Sequence, residues 1–247
     1  MKLQGSIVAL ITPFYEDGTV NFERLGEILD WHIAQGTDGI LVLGTTGESS
    51  TMSHEEDDAV CRFTIGRVAG RVPVSGSNST ETQLEKSKKY AAMGADALLC
   101  ITPYYIKANA EGMYRHFADV ADAVDVPVIL YNVPGRTGCS IPVETVARLA
   151  RHPNICGIKE ASGNISQIAT LMQLAEGCID LYSGNDDEVV PILSLGGIGV
   201  ISVFSNICPQ DSHDIVAKYL AGDVKGSLEL QLKALPLMHE LFNEVNP

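Results

Sequence analysis

The chain has 247 residues, a formal net charge of −14 and 45% hydrophobic residues, as in an ordinary globular protein. An acidic surface repels phosphate backbones and anionic lipids, so nucleic acids and membranes are not expected partners. The six scattered cysteines form no Cys-x-x-Cys pair and predict free thiols. Without a secretory signal core or an apolar stretch of about 18 residues, we expect a cytoplasmic protein.

Short apolar runs recur along the chain, and each ends in or beside a small or polar residue. Such near-continuous runs are typical of parallel strands that are covered on their outer face. They occupy residues 6–12, 39–44, 72–75, 97–102, 126–131, 155–159, 179–183 and 199–204.

Helical patterns lie between these runs. Apolar spacing predicts one helix face over Phe22–Ile33 and another over Tyr114–Val124. Residues suited to begin and to end helices recur at matching places. They are Asn21, Ser53 and Thr80 as N-caps, and Gly36, Gly70, Gly94 and Gly177 at helix ends.

Eight strands that alternate with helices predict an α/β fold, a (β/α)8 TIM barrel over residues 1–223. A doubly wound open sheet is the structural alternative. Residues 224–247 predict a short C-terminal helical tail, and no second domain is expected.

In such a barrel, polar residues at the carboxyl ends of the strands face one cavity. Lys159 ends the run Ile155-Cys-Gly-Ile-Lys159. Burial there should lower its pKa and release the neutral amine that attacks a carbonyl. The alternative is a lysine that extends to solvent or pairs with an acid, although alternation along a strand turns Glu160 to the opposite face.

Two further side chains suit the same chemistry. Tyr131 ends the preceding strand and should lie beside Lys159, where a phenol can transfer protons. Arg136 follows in Asn132-Val-Pro-Gly-Arg-Thr-Gly138 and offers a fork for a carboxylate. The alternative for Tyr131 is a core tyrosine whose hydroxyl bonds to a backbone group, and the alternative for Arg136 is an ordinary surface arginine.

The loop Gly44-Thr-Thr-Gly-Glu48 supplies amides and hydroxyls for a second carboxylate. Zinc sites, phosphate loops and nucleophile elbows are absent as motifs, so neither a metal nor another cofactor is expected.

Several motifs together resemble the dihydrodipicolinate synthase / N-acetylneuraminate lyase family of class I aldolases. The resemblance covers essentially the whole chain. It is carried by Gly44-Thr-Thr-Gly-Glu48, Pro103-Tyr-Tyr105, Tyr131-Asn-Val-Pro-Gly-Arg-Thr-Gly138, Gly157-Ile-Lys-Glu-Ala-Ser162, Ser183-Gly-Asn-Asp186 and Gly196-Gly-Ile-Gly-Val-Ile-Ser202.

Thr-Thr-Gly-Glu-Ser and the arginine after Tyr-Asn-Val-Pro resemble the synthase branch of the family. The resemblance implies that Lys159 condenses with pyruvate and that the resulting enamine attacks L-aspartate-4-semialdehyde. This reaction would be a step in the synthesis of diaminopimelate and lysine. The resemblance also implies roles for other positions and a homo-oligomer, a dimer or tetramer. Those positions are Tyr131, Thr45 and Tyr105 (the last from a neighbouring subunit) for proton relay, Arg136 for the aldehyde's carboxylate, and Thr46, Gly184 and Ile201 for pyruvate.

The family's regulatory lysine site is matched in part, by Ser49, His54, Asn78 and Tyr104. Strand three is three residues shorter than the family pattern, and the chain ends before the family's last helices. These two departures motivate one alternative, an inactive shortened barrel that serves as a binding or assembly subunit. A separate alternative with the same chemistry is an aldolase of a longer keto-acid sugar, against which Arg136 argues.

Overall fold

The computed structural model describes residues 3–68, 74–75 and 78–246. Its strands are β1 (Gly5–Ala9), β2 (Gly39–Leu41), β3 (Val74–Ser75), β4 (Leu98–Ile101), β5 (Val128–Asn132), β6 (Ile155–Glu160), β7 (Asp180–Ser183) and β8 (Gly199–Ser202). Its helices are α1 (Phe22–Ala34), α2 (His54–Val68), α3 (Thr80–Met93), α4 (Ala110–Asp122), α5 (Pro134–Thr137), α6 (Val143–Leu149), α7 (Ile165–Ala175), α8 (Val189–Ser194), α9 (Pro209–Leu220) and α10 (Val224–Glu240).

The strands form one parallel sheet in the order β2-β1-β8-β7-β6-β5-β4-β3. The first strand therefore pairs with the last, with Ile7 opposite Ile201. A doubly wound sheet places its first strand in the interior and its later strands outward. The observed order excludes that alternative, and the strands at its two ends, β2 and β3, follow one another in the chain.

Three strands end two or three residues earlier than the apolar runs predicted. β1 ends at Ala9, β2 at Leu41 and β8 at Ser202. Leu43 has a φ of 62°, so the chain has left the extended conformation before Gly44. Beyond β8, the amides of Val203 and Phe204 bond to a side chain instead of a neighbouring strand. The apolar runs extend past the strand ends because several residues of the following loops, such as Leu10, Val42 and Phe204, are also buried.

Most of the predicted helix ends are observed. Asn21 Oδ1 accepts from the Arg24 amide at 2.9 Å, and Ser53 Oγ accepts from the Glu56 amide at 3.2 Å. The prediction for Thr80 was wrong by one residue, because Ser79 caps α3. Gly94 takes the left-handed conformation expected of a C-cap. The predicted end at Gly70 lies outside the described residues.

Helix α10 packs mainly against α9, and it also contacts α8 and the 3-10 helix Asp186–Glu188 that follows β7. Met238 is buried in one apolar cluster with Val189, Phe204 and Val216. Gln231 accepts from the Val190 amide and donates to the Asp187 carbonyl, both at 2.7 Å. The tail helix is thereby bonded to the segment that follows β7. Within the described ranges, no helix combines the length and apolar character needed to cross a bilayer.

Asn206 joins the loop after β8 to the end of β1. Its Nδ2 donates to the Ala9 carbonyl at 2.8 Å, and its Oδ1 accepts from the Ile11 amide at 3.1 Å. Replacement by alanine leaves both backbone groups without this partner. We expect Asn206→Ala to lower the free energy of unfolding by about 1–3 kcal/mol in urea denaturation. Asn243→Ala, which removes an exposed bond to Glu240, is the control and should change it little; equal losses would contradict the prediction.

Candidate active site

A cavity of about 520 Å³ opens at the carboxyl ends of the strands. Ala9 of β1, Leu41 of β2, Leu99 of β4, Tyr131 of β5 and Lys159 of β6 all line it. β2 and β4 lie far apart in the strand order, so the sheet must curl for both to reach one cavity. The curled sheet collects side chains that are distant in sequence around a single space.

Lys159 lies at the centre of this arrangement. Its side chain is only 5% exposed, and Nζ is 4.4 Å from the centre of the Tyr131 ring. The two residues are paired in register across β5 and β6, which confirms their predicted adjacency. A Cβ at Gly184 would lie 3.1 Å from Lys159 Cε and 2.6 Å from Ala161 Cβ. Glycine at 184 therefore leaves room for the lysine.

Burial lowers the pKa of Lys159 to about 8, well below the ordinary value for a lysine side chain. The Arg136 guanidinium lowers this pKa further, whereas the Asp186 carboxylate raises it. Burial also raises the pKa of Tyr131 to about 12. Near neutral pH the site thus holds a lysine that is still mostly protonated but has a far larger neutral fraction than an exposed lysine, beside a protonated phenol.

Glu160 does not pair with Lys159. Its side chain faces the other side of β6, where both carboxylate oxygens accept from Asn132 Nδ2 at 3.0 Å. Oε1 also accepts from the Ser162 amide at 2.9 Å. The alternation argument was correct, and the structure excludes both simple alternatives for Lys159, an exposed chain and a Glu160 ion pair.

The loop after β2 brings two threonines to the cavity. Thr45 is exposed and Thr46 is buried, and both line the space. Thr12 Oγ1 donates to the Gly47 carbonyl at 2.7 Å. A Cβ at Gly47 would lie 2.8 Å from the Leu10 carbonyl oxygen, so the loop packs tightly against the end of β1. This packing holds the hydroxyls in place.

Arg136 lies in the short helix α5, directly after β5. It lines the cavity and is also exposed to solvent, so it has features of both predictions, a carboxylate-binding arginine and a surface arginine. Nη2 donates to the Val245 carbonyl at 3.5 Å. The guanidinium is therefore accessible from solvent and from the cavity.

Other predicted positions divide into two groups. Gly184, Ser49, His54 and Tyr104 line the same cavity, whereas Tyr105, Ile201 and Asn78 are absent from its lining. Tyr105 is 87% exposed and has a φ of 73°. Ile201 is fully buried within β8, and Val203 lines the cavity beyond that strand instead.

Asp186 and Phe242 are among the residues around the site that received no role from the sequence. Asp186 is buried and acts electrostatically on Lys159. Its place in the motif Ser183-Gly-Asn-Asp186 was a usable signal, because a carboxylate directly after a strand faces the cavity edge. Phe242 lines the cavity from beyond α10, and no local pattern could have indicated this.

A buried amine of lowered pKa beside a phenol, at the carboxyl edge of a curled parallel sheet, defines a lysine-dependent carbonyl site. Among the described residues, no group of three or more histidine, cysteine, aspartate or glutamate side chains is placed to hold a metal.

The model of the dihydrodipicolinate synthetase family matches residues 2–247. The chain is 54% identical to 4-hydroxy-tetrahydrodipicolinate synthase of Lachnoclostridium phytofermentans, over 98% of this chain and 84% of the relative. It is 53% identical to the same enzyme of Caldicellulosiruptor bescii, over 99% of this chain and 83% of the relative.

A solved structure is also similar. The chloride-inhibited dihydrodipicolinate synthase of Acinetobacter baumannii, complexed with pyruvate, has a TM-score of 0.97 at 41% identity. The match covers 100% of this chain and 86% of that one. The chain belongs to the dihydrodipicolinate synthetase family, and it is an enzyme of the lyase class.

The lowered pKa of Lys159 predicts unusual reactivity of its amine. The neutral fraction should rise through about pH 8, whereas a lysine in water titrates near 10.4. At pH 8, we expect competitive labelling with a trace acylating reagent, read by peptide mapping, to find Lys159 about half deprotonated. Exposed Lys225 is the internal reference. The labelling of each lysine is divided by its own value at high pH, which corrects for restricted access to the cavity. A labelling midpoint for Lys159 at or above that of Lys225 would contradict the lowered pKa.

Proposed function

We propose that the enzyme condenses pyruvate with L-aspartate-4-semialdehyde, through an imine on Lys159, to 4-hydroxy-tetrahydrodipicolinate. This is a step of diaminopimelate and lysine biosynthesis. The observation that carries the proposal is the buried, partly neutral Lys159 amine beside Tyr131 in the cavity. The similar enzyme complexed with pyruvate supports the first substrate.

The first stage forms the imine. The Lys159 amine attacks C2 of pyruvate, a C–N bond forms, and the carbonyl oxygen takes a proton. Loss of water then leaves the protonated imine. Tyr131 lies beside the amine, and Thr45 lines the same cavity. We assign these two hydroxyls, with Tyr105 of a neighbouring subunit, to the proton transfers.

The second stage forms the new C–C bond. Loss of a proton from C3 turns the protonated imine into an enamine, whose C3 attacks the aldehyde carbon while the aldehyde oxygen takes a proton. The amine of the second substrate then attacks C2, which closes the ring and frees Lys159. One water is released overall.

Carboxylate binding is assigned to three parts of the cavity. Thr46 and the backbone near Gly184 and Ile201 would hold the pyruvate carboxylate close to Lys159. Arg136 at the mouth would hold the carboxylate of the aldehyde, for which a guanidinium fork is suited. Ser49, His54 and Tyr104 line the same cavity and, with Asn78, remain the proposed regulatory positions.

Two structural proposals accompany this function. We propose that β2 and β3 close the curled sheet into a (β/α)8 barrel over residues 1–223, with 224–247 as a helical extension. We also propose a homo-oligomer, a dimer or tetramer. The 87% exposure of Tyr105 and the 59% exposure of Ile106 support it, because both large side chains lie on one protruding loop.

Trapping with pyruvate and borohydride tests the imine. We expect an adduct on the intact wild-type chain by mass spectrometry and none on Lys159→Ala. Lys86→Arg is the matched control, because Lys86 is the other lysine that lines the cavity and is paired with Asp57 at 2.9 Å. A folded wild-type chain without an adduct, or an adduct that persists in Lys159→Ala, would refute the proposal.

Arg136→Ala tests the placement of the second substrate. Loss of a charged hydrogen bond to a carboxylate should raise KM for L-aspartate-4-semialdehyde by about 10- to 100-fold. Trapping of pyruvate should remain, because the guanidinium is assigned to the other carboxylate. Arg24→Ala, which removes an exposed arginine paired with Glu27, is the control. An unchanged KM would show that the guanidinium does not bind this substrate, and faster cleavage of sugar keto acids would favour the aldolase alternative.

A further inference from the structure

A buried carboxylate joins the two loops on one wall of the cavity. Asp186 begins the short 3-10 helix Asp186–Glu188 after β7 and is 6% exposed. Its Oδ2 accepts from the amides of Val203 and Phe204, at 3.0 and 2.9 Å. The Ser202 hydroxyl also hydrogen-bonds to it. One side chain therefore connects the chain after β7 to the chain after β8.

These two loops form the wall next to Lys159. Gly184 and Asn185 line the cavity before Asp186, and Val203 lines it from the other loop. The Lys159 side chain passes so close to Gly184 that a Cβ there would lie 3.1 Å from Cε. A shift of either loop would therefore change the space around the amine.

The charges around Lys159 come from several elements. Tyr131 of β5 covers the amine, and Arg136 of α5 adds a positive charge. Tyr182, in register on β7, donates its hydroxyl to the Leu3 carbonyl at 2.6 Å. Among the described residues, Asp186 is the carboxylate whose charge raises the pKa of Lys159.

The nearby acids have other partners. Glu160 is bonded to Asn132 on the outer face of β6. Glu188 accepts from Asn185 Nδ2 at 2.9 Å. Asp187 lies 3.5 Å from His239 of α10, with its side chain half-exposed.

Burial raises the pKa of Asp186, but the Ser202 hydroxyl, the two amides and Lys159 all favour its carboxylate form. All three donors are fixed by the fold, and Lys159 supplies a charge when its nitrogen is cationic. The Asp186 carboxylate and the Lys159 cation therefore stabilise each other, and the two groups titrate as a coupled pair.

We propose that Asp186 is a positioning residue, which fixes the wall beside Lys159 and supplies the negative charge that balances a cationic nitrogen there. This inference rests on the proposed function, because the cation that matters in turnover is the protonated imine. A balancing charge in a buried site stabilises that cation and needs no rearrangement when the imine forms.

The test compares two single-charge changes in adjacent residues. Asp186→Asn keeps an oxygen that can accept from the two amides but removes the charge. Asp187→Asn removes the same charge from the neighbouring residue, whose side chain is half-exposed and pairs with His239. The measurement is the rate of pyruvate adduct formation with cyanoborohydride between pH 6 and 10, read by intact mass.

Removal of a nearby carboxylate makes the ammonium form of Lys159 less favourable, so its pKa falls. The rate of adduct formation should rise with pH as Lys159 loses its proton. We expect the midpoint of this rising limb of the pH–rate profile to move to lower pH by about 1 unit in Asp186→Asn. Asp187→Asn should follow the wild-type profile. A folded Asp186→Asn with an unshifted limb, or a limb moved to higher pH, would overturn the inference and leave Asp186 with a structural role only.

If Asp186→Asn does not fold, Asp186→Ser takes its place. This change also removes the carboxylate, and the shorter hydroxyl side chain can still accept a hydrogen bond, so the midpoint of the pH–rate profile should move in the same direction. An unshifted profile in Asp186→Ser would then overturn the inference. A wild-type chain that forms no adduct at all would refute the proposed function and the inference with it, whereas a wild-type adduct with unshifted variants refutes the inference alone.

Discussion

The structure of the site depends on one electrostatic constraint, the burial of the Lys159 amine at the carboxyl ends of the curled sheet. Removing an ammonium from water is unfavourable, so the fold lowers the pKa of Lys159 to about 8. The Tyr131 ring covers the amine, and Gly184 leaves space for its alkyl chain. The remaining ammonium character is balanced from the wall that Asp186 holds.

The cavity edge is held by hydrogen bonds between loops. Thr12 bonds to the Gly47 carbonyl, Asn206 to the Ala9 carbonyl, and Asp186 to the amides of Val203 and Phe204. Each bond joins a loop to its neighbour around the carboxyl ends of the strands. Loops that carry binding groups on a rigid sheet are thereby prevented from moving independently.

Patterns in the sequence predicted the centre of the site but not its boundary. Tyr131 and Lys159 were placed together because consecutive parallel strands pair in register. The opposite orientation of Glu160 followed from the same alternation. Strand ends were less predictable, since buried apolar residues such as Leu10, Val42 and Val203 continue into the loops after the strands. The one-residue error at Thr80 has a similar cause, because Ser79 and Thr80 are both able to cap a helix.

The sequence by itself determined the alternation of strands and helices, the lysine at a strand end and the tyrosine beside it. These properties depend on local periodicity and on polar residues placed directly after apolar runs. Only the tertiary structure decided that β1 pairs with β8, that Phe242 reaches the cavity and that Asp186 bonds to the loop after β8. The physical reason is that burial, charge pairing and loop contacts arise between segments far apart in the chain, where no local pattern records them.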